Sequence, residues 1–117
     1  MTTSIEDVRG SMHHLRAVFN SAEAGDATAT LLFVISGAEP GRPETQEWTV
    51  AIADGRCDIQ EQSAATPTVT LKIPRDVWLA MARGEKSGRD AFMNGEYQVE
   101  GDIMFMMRFG KIFPLKA

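Results

Sequence analysis

The sequence has little of what builds a cross-linked, membrane-spanning or secreted protein. It contains one cysteine, Cys57, in 117 residues, so no disulfide can form within the chain and a reducing compartment is expected. No apolar run approaches the roughly 18 residues that a membrane-spanning helix needs. The first residues, MTTSIEDVRG, lack the basic and apolar regions of a signal peptide. We therefore expect a single cytoplasmic domain that spans residues 1–117.

The sequence also lacks the motifs that mark common catalytic sites. It has no GxSxG elbow, no HExxH zinc motif, no CxxC pair and no phosphate-binding P-loop. Cys57 falls in a predicted strand, where a small buried hydrophobic residue is expected rather than a nucleophile. His13 and His14 are adjacent on a predicted helix, so their side chains point about 100° apart and cannot bind one metal ion together. These patterns predict a protein that is not an enzyme, with no catalytic residues, metal or cofactor. The alternative is a pair of carboxylates from distant strands that the fold brings together.

The charge of the chain is mildly acidic and unevenly distributed. The net charge is −4 at pH 7, which argues against a nucleic-acid-binding protein, because such proteins present a basic surface. Residues 1–71 contain four Lys or Arg and ten Asp or Glu, whereas residues 72–117 contain eight and six. The mildly basic second half suits transient contact with anionic lipid headgroups or with a ligand carboxylate. Scattered solvated charges are the alternative.

Strand-like alternation of apolar and polar residues recurs along the chain. The sequence Asp54-Gly55 predicts a tight hairpin between the second and third strands. Together with helical spacing in the remaining segments, the pattern predicts an α+β fold with one mainly antiparallel sheet and helices gathered on one face. The predicted strands cover residues 27–36, 46–54, 56–61, 68–73 and 96–100.

The predicted helices begin at recognisable caps. The first starts at Ser4 and carries its apolar face as far as Phe19. A loop is expected at residues 20–26. Short helices follow Pro74, which suits a first helical turn, and Ser87, which can cap the next one.

The segment at residues 103–113, IMFMMRFGKIF, is unusually apolar for a helix of a small domain. Asp102 is placed to cap it, because its carboxylate can accept a backbone N–H of the first turn. The apolar side is wider than the usual stripe, and methionine is over-used at adaptable binding surfaces. Two interpretations stay open here: the helix forms one wall of a cavity for an apolar ligand, or it packs into an ordinary core.

Two segments, WTVAIADG at residues 48–55 and the long stretch at residues 67–113, resemble the sterol carrier protein-2 domain family. The ordered combination of features makes the resemblance fairly specific, and it spans nearly the whole chain. The peroxisomal C-terminal tripeptide of some eukaryotic members is absent, so a bacterial stand-alone member is expected. The features are an alternating strand that runs into Asp54-Gly55, a short helix that ends at Gly84, Ala91-Phe92-Met93 followed by Gly95, and Gly101-Asp102 before an apolar helix.

The resemblance implies a five-stranded sheet with helices packed on one face and a hydrophobic tunnel between them. It further implies non-catalytic binding, with transfer as an additional activity, of an apolar lipid such as a fatty acid, an acyl-CoA, a sterol or an isoprenoid-like chain. About half of the lining candidates are expected to touch the ligand. These candidates are Trp48, Val50, Ile52, Val77, Trp78, Met81, Phe92, Met93, Ile103, Met104, Met106, Met107 and Phe109.

Two cations near the end of the chain, Arg108 and Lys111, are candidates for holding a carboxylate or phosphate headgroup at the mouth of the tunnel. The alternative is that both are solvated charges on apolar stems.

A second interpretation is a protein-interaction module or a homodimer that serves a partner enzyme through its apolar surface. Residues 31–35 motivate it, because this strand segment is apolar on both faces. Such a strand is either central and covered on both sides, or it presents one face for self-association.

Overall fold

Eleven helices and strands follow one another in the described part of the chain, which comprises residues 7–37, 45–64 and 66–115 of a computed structural model. None of the helices in these ranges is long and apolar enough to cross a membrane. The helices are α1 (Val8–Ala17), α2 (Ser21–Ala24), α3 (Arg75–Ala82), α4 (Gly88–Met93), α5 (Ile103–Met106) and α6 (Phe109–Ile112). The strands are β1 (Ala29–Ser36), β2 (Thr45–Ala53), β3 (Arg56–Gln60), β4 (Val69–Pro74) and β5 (Gln98–Gly101).

The five strands form one sheet in the order β3-β2-β1-β4-β5. β1 is central: it runs antiparallel to β2 and parallel to β4, while the β2–β3 and β4–β5 pairs are antiparallel. Asp54 and Gly55 have positive φ angles and make the tight turn between β2 and β3, as the Asp-Gly pair predicts. The predicted α+β fold with a mainly antiparallel five-stranded sheet is therefore confirmed.

One face of the sheet is buried beneath the helices. Because side chains alternate between the two faces of a strand, Leu31, Phe33 and Ile35 all point to this side, and none of them is exposed. Trp78 of α3 packs on β1, with its ring centroid 5.0 Å from that of Phe33. Phe109 of α6 reaches the same ring at 6.3 Å. The helices thus gather on one face, as predicted.

The opposite face of β1 carries Leu32 and Val34. Leu32 is paired across the sheet with Thr49 and Thr70, and these neighbours reduce its exposure to 7 %. Val34 is half-buried. In the described ranges the helices pack on the other side, so the low exposure of Leu32 comes from its neighbours within the sheet.

Asp7 caps α1, since its carboxylate accepts the backbone N–H of Gly10 at 2.8 Å. Val8, Met12 and Leu15 form the buried face of this helix, in agreement with their helical spacing. The predicted start at Ser4 lies outside the described residues.

The chain between α1 and β1 differs from the prediction. Because α1 ends at Ala17, Phe19 lies beyond the helix, and its ring packs 5.5 Å from that of Phe113. Residues 20–26, predicted as a loop, contain α2, whose first turn is capped by the side chain of Asn20.

The predicted single helix over residues 103–113 is two short helices, α5 and α6, that join at Arg108. Asp102 caps α5 as predicted, accepting the backbone N–H of Phe105 at 3.0 Å. At the join the backbone N–H of Arg108 donates to the Phe105 carbonyl at 2.9 Å, the three-residue spacing of a tighter turn. The Arg108 guanidinium also donates to the Glu23 carbonyl at 3.0 Å, which ties this turn to α2.

The junction between β5 and α5 requires glycine. Gly101 has a φ of 101°, and a Cβ at this position would lie inside the contact distance of the Thr68 carbonyl oxygen. The same carbonyl accepts the backbone N–H of Asp102 at 2.9 Å. The chain therefore leaves the edge of the sheet here in a direction that only glycine permits.

Replacing Gly101 by alanine tests the junction, and the same replacement at Gly95 is the matched control. Gly95 also has a positive φ, 73°, but a Cβ there would meet no neighbouring atom. Gly95→Ala is expected to cost about 1–2 kcal/mol, the cost of a left-handed backbone for a residue with a Cβ. Gly101→Ala adds the backbone clash, so its cost should exceed about 3 kcal/mol. Urea unfolding of the two variants measures the difference, and equal costs would contradict the close approach.

Candidate functional site

A cavity of about 790 Å³ lies between the β4–β5 side of the sheet and the helices α3 to α6. Most of its wall is apolar. The apolar lining residues are Leu71, Met81, Phe92, Met93, Tyr97, Val99, Ile103, Met106, Met107, Phe109, Phe113 and Leu115, and the remaining wall is made by Lys86, Ser87, Gly88, Arg89 and Gly110.

The inner wall is part of the hydrophobic core. Leu71 of β4 and Phe113 are almost fully buried, and Met81 of α3 is 3 % exposed. Val99, the neighbour of Leu71 across the β4–β5 pair, points to the same side. This part of the cavity therefore offers contacts to an apolar group and few to a polar one.

The rim of the cavity is apolar as well, and it is exposed. Phe92 and Met93 of α4 are 44 % and 72 % exposed, and Ile103 and Met107 on the other side are 45 % and 74 % exposed. Scattered apolar residues are common on protein surfaces, but several exposed apolar side chains around one cavity are typical of a binding site or an interface. We define these four residues as the apolar rim.

Three polar side chains of the wall are engaged in internal interactions. Lys86 forms a short ion pair with Glu96, and the hydrogen bond from Lys86 lowers the pKa of the Glu96 carboxyl. Ser87 caps α4 by accepting the backbone N–H of Asp90. Tyr97 donates its hydroxyl to a backbone carbonyl at 2.9 Å, and burial raises the pKa of this phenol.

The structure divides the predicted lining residues into two groups. Those that lie on the cavity wall come from the helices, and those that do not are mostly core residues of the sheet and of α3. On the wall are Met81, Phe92, Met93, Ile103, Met106, Met107 and Phe109; away from it are Trp48, Val50, Ile52, Val77, Trp78 and Met104.

Trp78 lies away from the cavity because it fills the space between α1 and α3. Its indole N–H donates to the Ser11 hydroxyl at 2.7 Å, and that hydroxyl donates to the Val8 carbonyl at 2.5 Å. Trp48 is 5 % exposed, with the Arg9 guanidinium 5.6 Å from the centroid of its ring. Both indoles therefore belong to the packed part of the molecule.

The two predicted headgroup cations lie off the cavity wall. Arg108 donates to the carbonyl of Glu23 and sits over the Phe105 ring, 5.9 Å from its centroid. Lys111 is exposed on α6. The cations that do line the cavity are Lys86 and Arg89.

Sequence reasoning missed the inner part of the wall. Leu71 and Val99 fall in predicted strands with alternating apolar and polar residues, a pattern that does not distinguish a cavity residue from a core residue. Residues 86–89 were not among the predicted site residues, because the segment GEKSG at residues 84–88 follows a predicted helix and does not fit a phosphate-binding loop. The two cations of residues 86–89, close to an apolar helix, were the available signal.

Cys57 is the one thiol of the chain, and it lies half-buried on β3. Burial raises its pKa to about 11, so the group is a neutral thiol at physiological pH and a poor nucleophile. Within the described ranges, no group of three or more His, Cys, Asp or Glu is arranged to hold a metal ion.

These features define a small α+β domain with an apolar cavity between its sheet and its helices. The chain belongs to the SCP-2 sterol transfer family, whose family model matches residues 14–114. No curated protein is similar enough in sequence to match.

Solved structures share the fold at low sequence identity. Palmitated SCP2L2 from Aedes aegypti has a TM-score of 0.75 and 16% identity, with 96% of this chain and 98% of that chain covered. Sterol Carrier Protein 2 from Yarrowia lipolytica, in its apo form, has a TM-score of 0.67 and 15% identity, with 97% and 98% covered.

A longer enzyme also contains this fold. A double mutant of the sec-alkyl sulfatase PisA1 matches with a TM-score of 0.78 and 15% identity over 96% of this chain. The chain spans only 17% of the length of that sulfatase.

The raised pKa of Cys57 predicts a protected thiol. Because the folded pKa of about 11 exceeds the ordinary value of 9.0, thiolate formation at pH 8 should be about a hundredfold lower in the folded chain than in the unfolded chain. Reaction with a thiol-specific disulfide reagent, with and without urea, measures this ratio.

The raised pKa of Cys57 also makes the free energy of unfolding depend on pH. A thiol whose folded pKa is raised contributes stability that is fully present below pH 9 and is lost as the pH rises towards 11. The Cys57→Ala variant should lack this part of the alkaline loss of stability. For the reactivity measurement of the previous paragraph, equal thiol reactivity in the folded and unfolded chains would contradict the protected thiol.

Proposed function

We propose that this chain is a non-catalytic cytoplasmic domain that binds the apolar part of a lipid in the cavity. The observation that carries the proposal is a cavity of about 790 Å³ with a buried apolar inner wall and an exposed apolar rim. Its volume falls within the roughly 300–1,000 Å³ of small-molecule sites. The proposed ligand class comprises fatty acids, acyl-CoA esters, sterols and isoprenoid-like chains, and transfer of the ligand between surfaces is the proposed activity.

Burial of apolar surface supplies the driving force for such binding. Each methylene that enters the cavity gains about 0.8 kcal/mol, against association costs of about 4 kcal/mol or more. A linear chain should therefore bind roughly fourfold more tightly for each added methylene. The gain should stop when the cavity is full.

The comparisons support the ligand class without identifying the ligand. The family model that matches is that of a sterol transfer family, and one structure of similar fold is described as palmitated. Sterols and fatty acyl groups share a long apolar body, which is the feature that the inner wall of this cavity can recognise.

The first experiment is native mass spectrometry of the purified protein, followed by organic extraction and identification of what is released. A stoichiometric lipid that leaves on denaturation is expected. Isothermal titration calorimetry with a series of fatty acids of increasing length then measures the gain for each methylene. Intrinsic fluorescence is a weak probe here, because neither Trp48 nor Trp78 lines the cavity. An apo mass with no binding across fatty acids, acyl-CoA esters and sterols would overturn the proposal.

A cavity-filling substitution tests where the lipid binds. Val99→Trp places an indole in the cavity, while Gln98→Trp places the same group on the opposite, exposed face of β5. Excluding two methylenes costs about 1.6 kcal/mol, so Val99→Trp should weaken binding of a long fatty acid by roughly tenfold or more. Gln98→Trp should leave the affinity unchanged. Equal affinities in calorimetry, with unchanged thermal unfolding, would place the ligand elsewhere.

The second candidate function is an interaction surface for another copy of this chain. The apolar rim favours it, together with Met104, which is 74 % exposed and lies off the cavity wall. Exposed apolar side chains in this number are typical of protein interfaces. A partner enzyme or a membrane surface is the alternative occupant of the same residues.

Met104→Gln separates this function from lipid binding, since it makes the surface polar without touching the cavity. Light scattering over a wide range of concentration should show a dimer for the native chain and for Met104→Leu, and a shift to monomer for Met104→Gln. Lipid affinity should be the same in all three. A native chain that stays monomeric at every concentration would exclude self-association.

A further inference from the structure

The charged side chains on the cavity wall are both cations. Lys86 and Arg89 line the cavity, and among residues 7–37, 45–64 and 66–115 no Asp or Glu lines it. This asymmetry stands out because the whole chain is acidic, with a net charge of −4. A wall with cations and no carboxylate favours an anion over a neutral or cationic group.

The two cations differ in what they already bind. Lys86 is paired with Glu96, and the lowered pKa of that carboxyl keeps the pair charged. Ser87 and Tyr97, the other polar side chains on the wall, are both used in internal hydrogen bonds. In the described ranges, Arg89 has no ion pair or hydrogen bond of its side chain.

The position of Arg89 suits the end of a ligand rather than its middle. The residue is exposed on α4, beside the apolar rim residues Phe92 and Met93. An apolar ligand chain that lies along the inner wall therefore has its end, at the α4 side of the cavity, next to the Arg89 guanidinium. This guanidinium group is still in contact with water. Guanidinium offers two parallel N–H donors that match the oxygens of a carboxylate, sulfate or phosphate.

We infer that Arg89 binds the anionic headgroup of the ligand, and that the ligand is an amphiphile with an apolar chain and one terminal carboxylate, sulfate or phosphate. This inference rests on the proposed lipid-binding function and narrows it to anionic ligands. It assigns the headgroup to α4 rather than to Arg108 or Lys111 on the last turns of the chain.

Four probes with the same twelve-carbon chain separate the headgroup contribution from the apolar one: dodecanoate, dodecyl sulfate, dodecanol and dodecyltrimethylammonium. Calorimetry below the micellar concentrations should rank the two anions above the alcohol and the alcohol above the cation. Arg89→Gln should weaken binding of the anions by about fivefold to tenfold and leave dodecanol unchanged.

Control variants remove the same charge from other places. Lys111→Gln and Arg56→Gln, both exposed and off the cavity wall, should leave anion binding within about twofold of the native value, because exposed charges are screened. Arg89→Lys should retain part of the preference, since it keeps the charge but loses the paired donors. The preference for anions should also fall as salt is added.

The outcomes separate a failure of the Arg89 assignment from a failure of the proposed lipid-binding function. If all four probes bind equally and Arg89→Gln changes none of them, lipid binding stands and the assignment of the headgroup to Arg89 is wrong. If Lys111→Gln removes the preference instead, the headgroup site lies on α6 and the inference is overturned. If none of the four probes binds, the proposed function itself fails, and the inference fails with it.

Discussion

The close approach of Gly101 to Thr68 is the constraint on which the cavity depends. The Thr68 carbonyl accepts the N–H of Asp102 at 2.9 Å, and the Thr68 N–H donates to the Thr30 carbonyl at 2.8 Å. One residue therefore joins the beginnings of β1 and β4 to the end of β5. Because Gly101 adopts a φ of 101°, the chain turns off the sheet at this point, and α5 and α6 return over the inner face, where they wall the cavity.

The inner face of the sheet is filled unequally, and the cavity lies over its β4–β5 side. Over β1 and β2, the large rings of Phe33, Trp48 and Trp78 occupy the space beneath α1 and α3. Over β4 and β5, the inner wall is built from the smaller side chains Leu71 and Val99. Protein interiors are otherwise closely packed, so this difference in side-chain volume between the two sides of one sheet is the physical origin of the site.

The surface around the cavity combines exposed apolar side chains with a positive charge. The apolar rim exposes large side chains that are unfavourable in water, while Arg89 keeps a charge at the same edge. A ligand with an apolar chain and an anionic end satisfies both, because its chain removes the rim from water and its headgroup stays hydrated beside a cation. This complementarity connects the packing of the sheet to the proposed function.

The sequence by itself determined the five strands, the helices α1, α3 and α4, and the faces that they bury, because alternation and helical spacing are local properties of the chain. It also determined the caps at Ser87 and Asp102 and, through the ordered motifs, the family.

Only the tertiary structure decided which apolar residues fill the core and which line a cavity. The family resemblance made Trp78 a lining candidate, yet its hydrogen bond to Ser11, 67 positions away, places it in the core. Arg108 was a headgroup candidate, yet a distant carbonyl holds it against α2. The division of the predicted helix at residues 103–113 into α5 and α6 was likewise decided by the tertiary structure. Contacts between residues far apart in sequence set these outcomes, and no local pattern contains them.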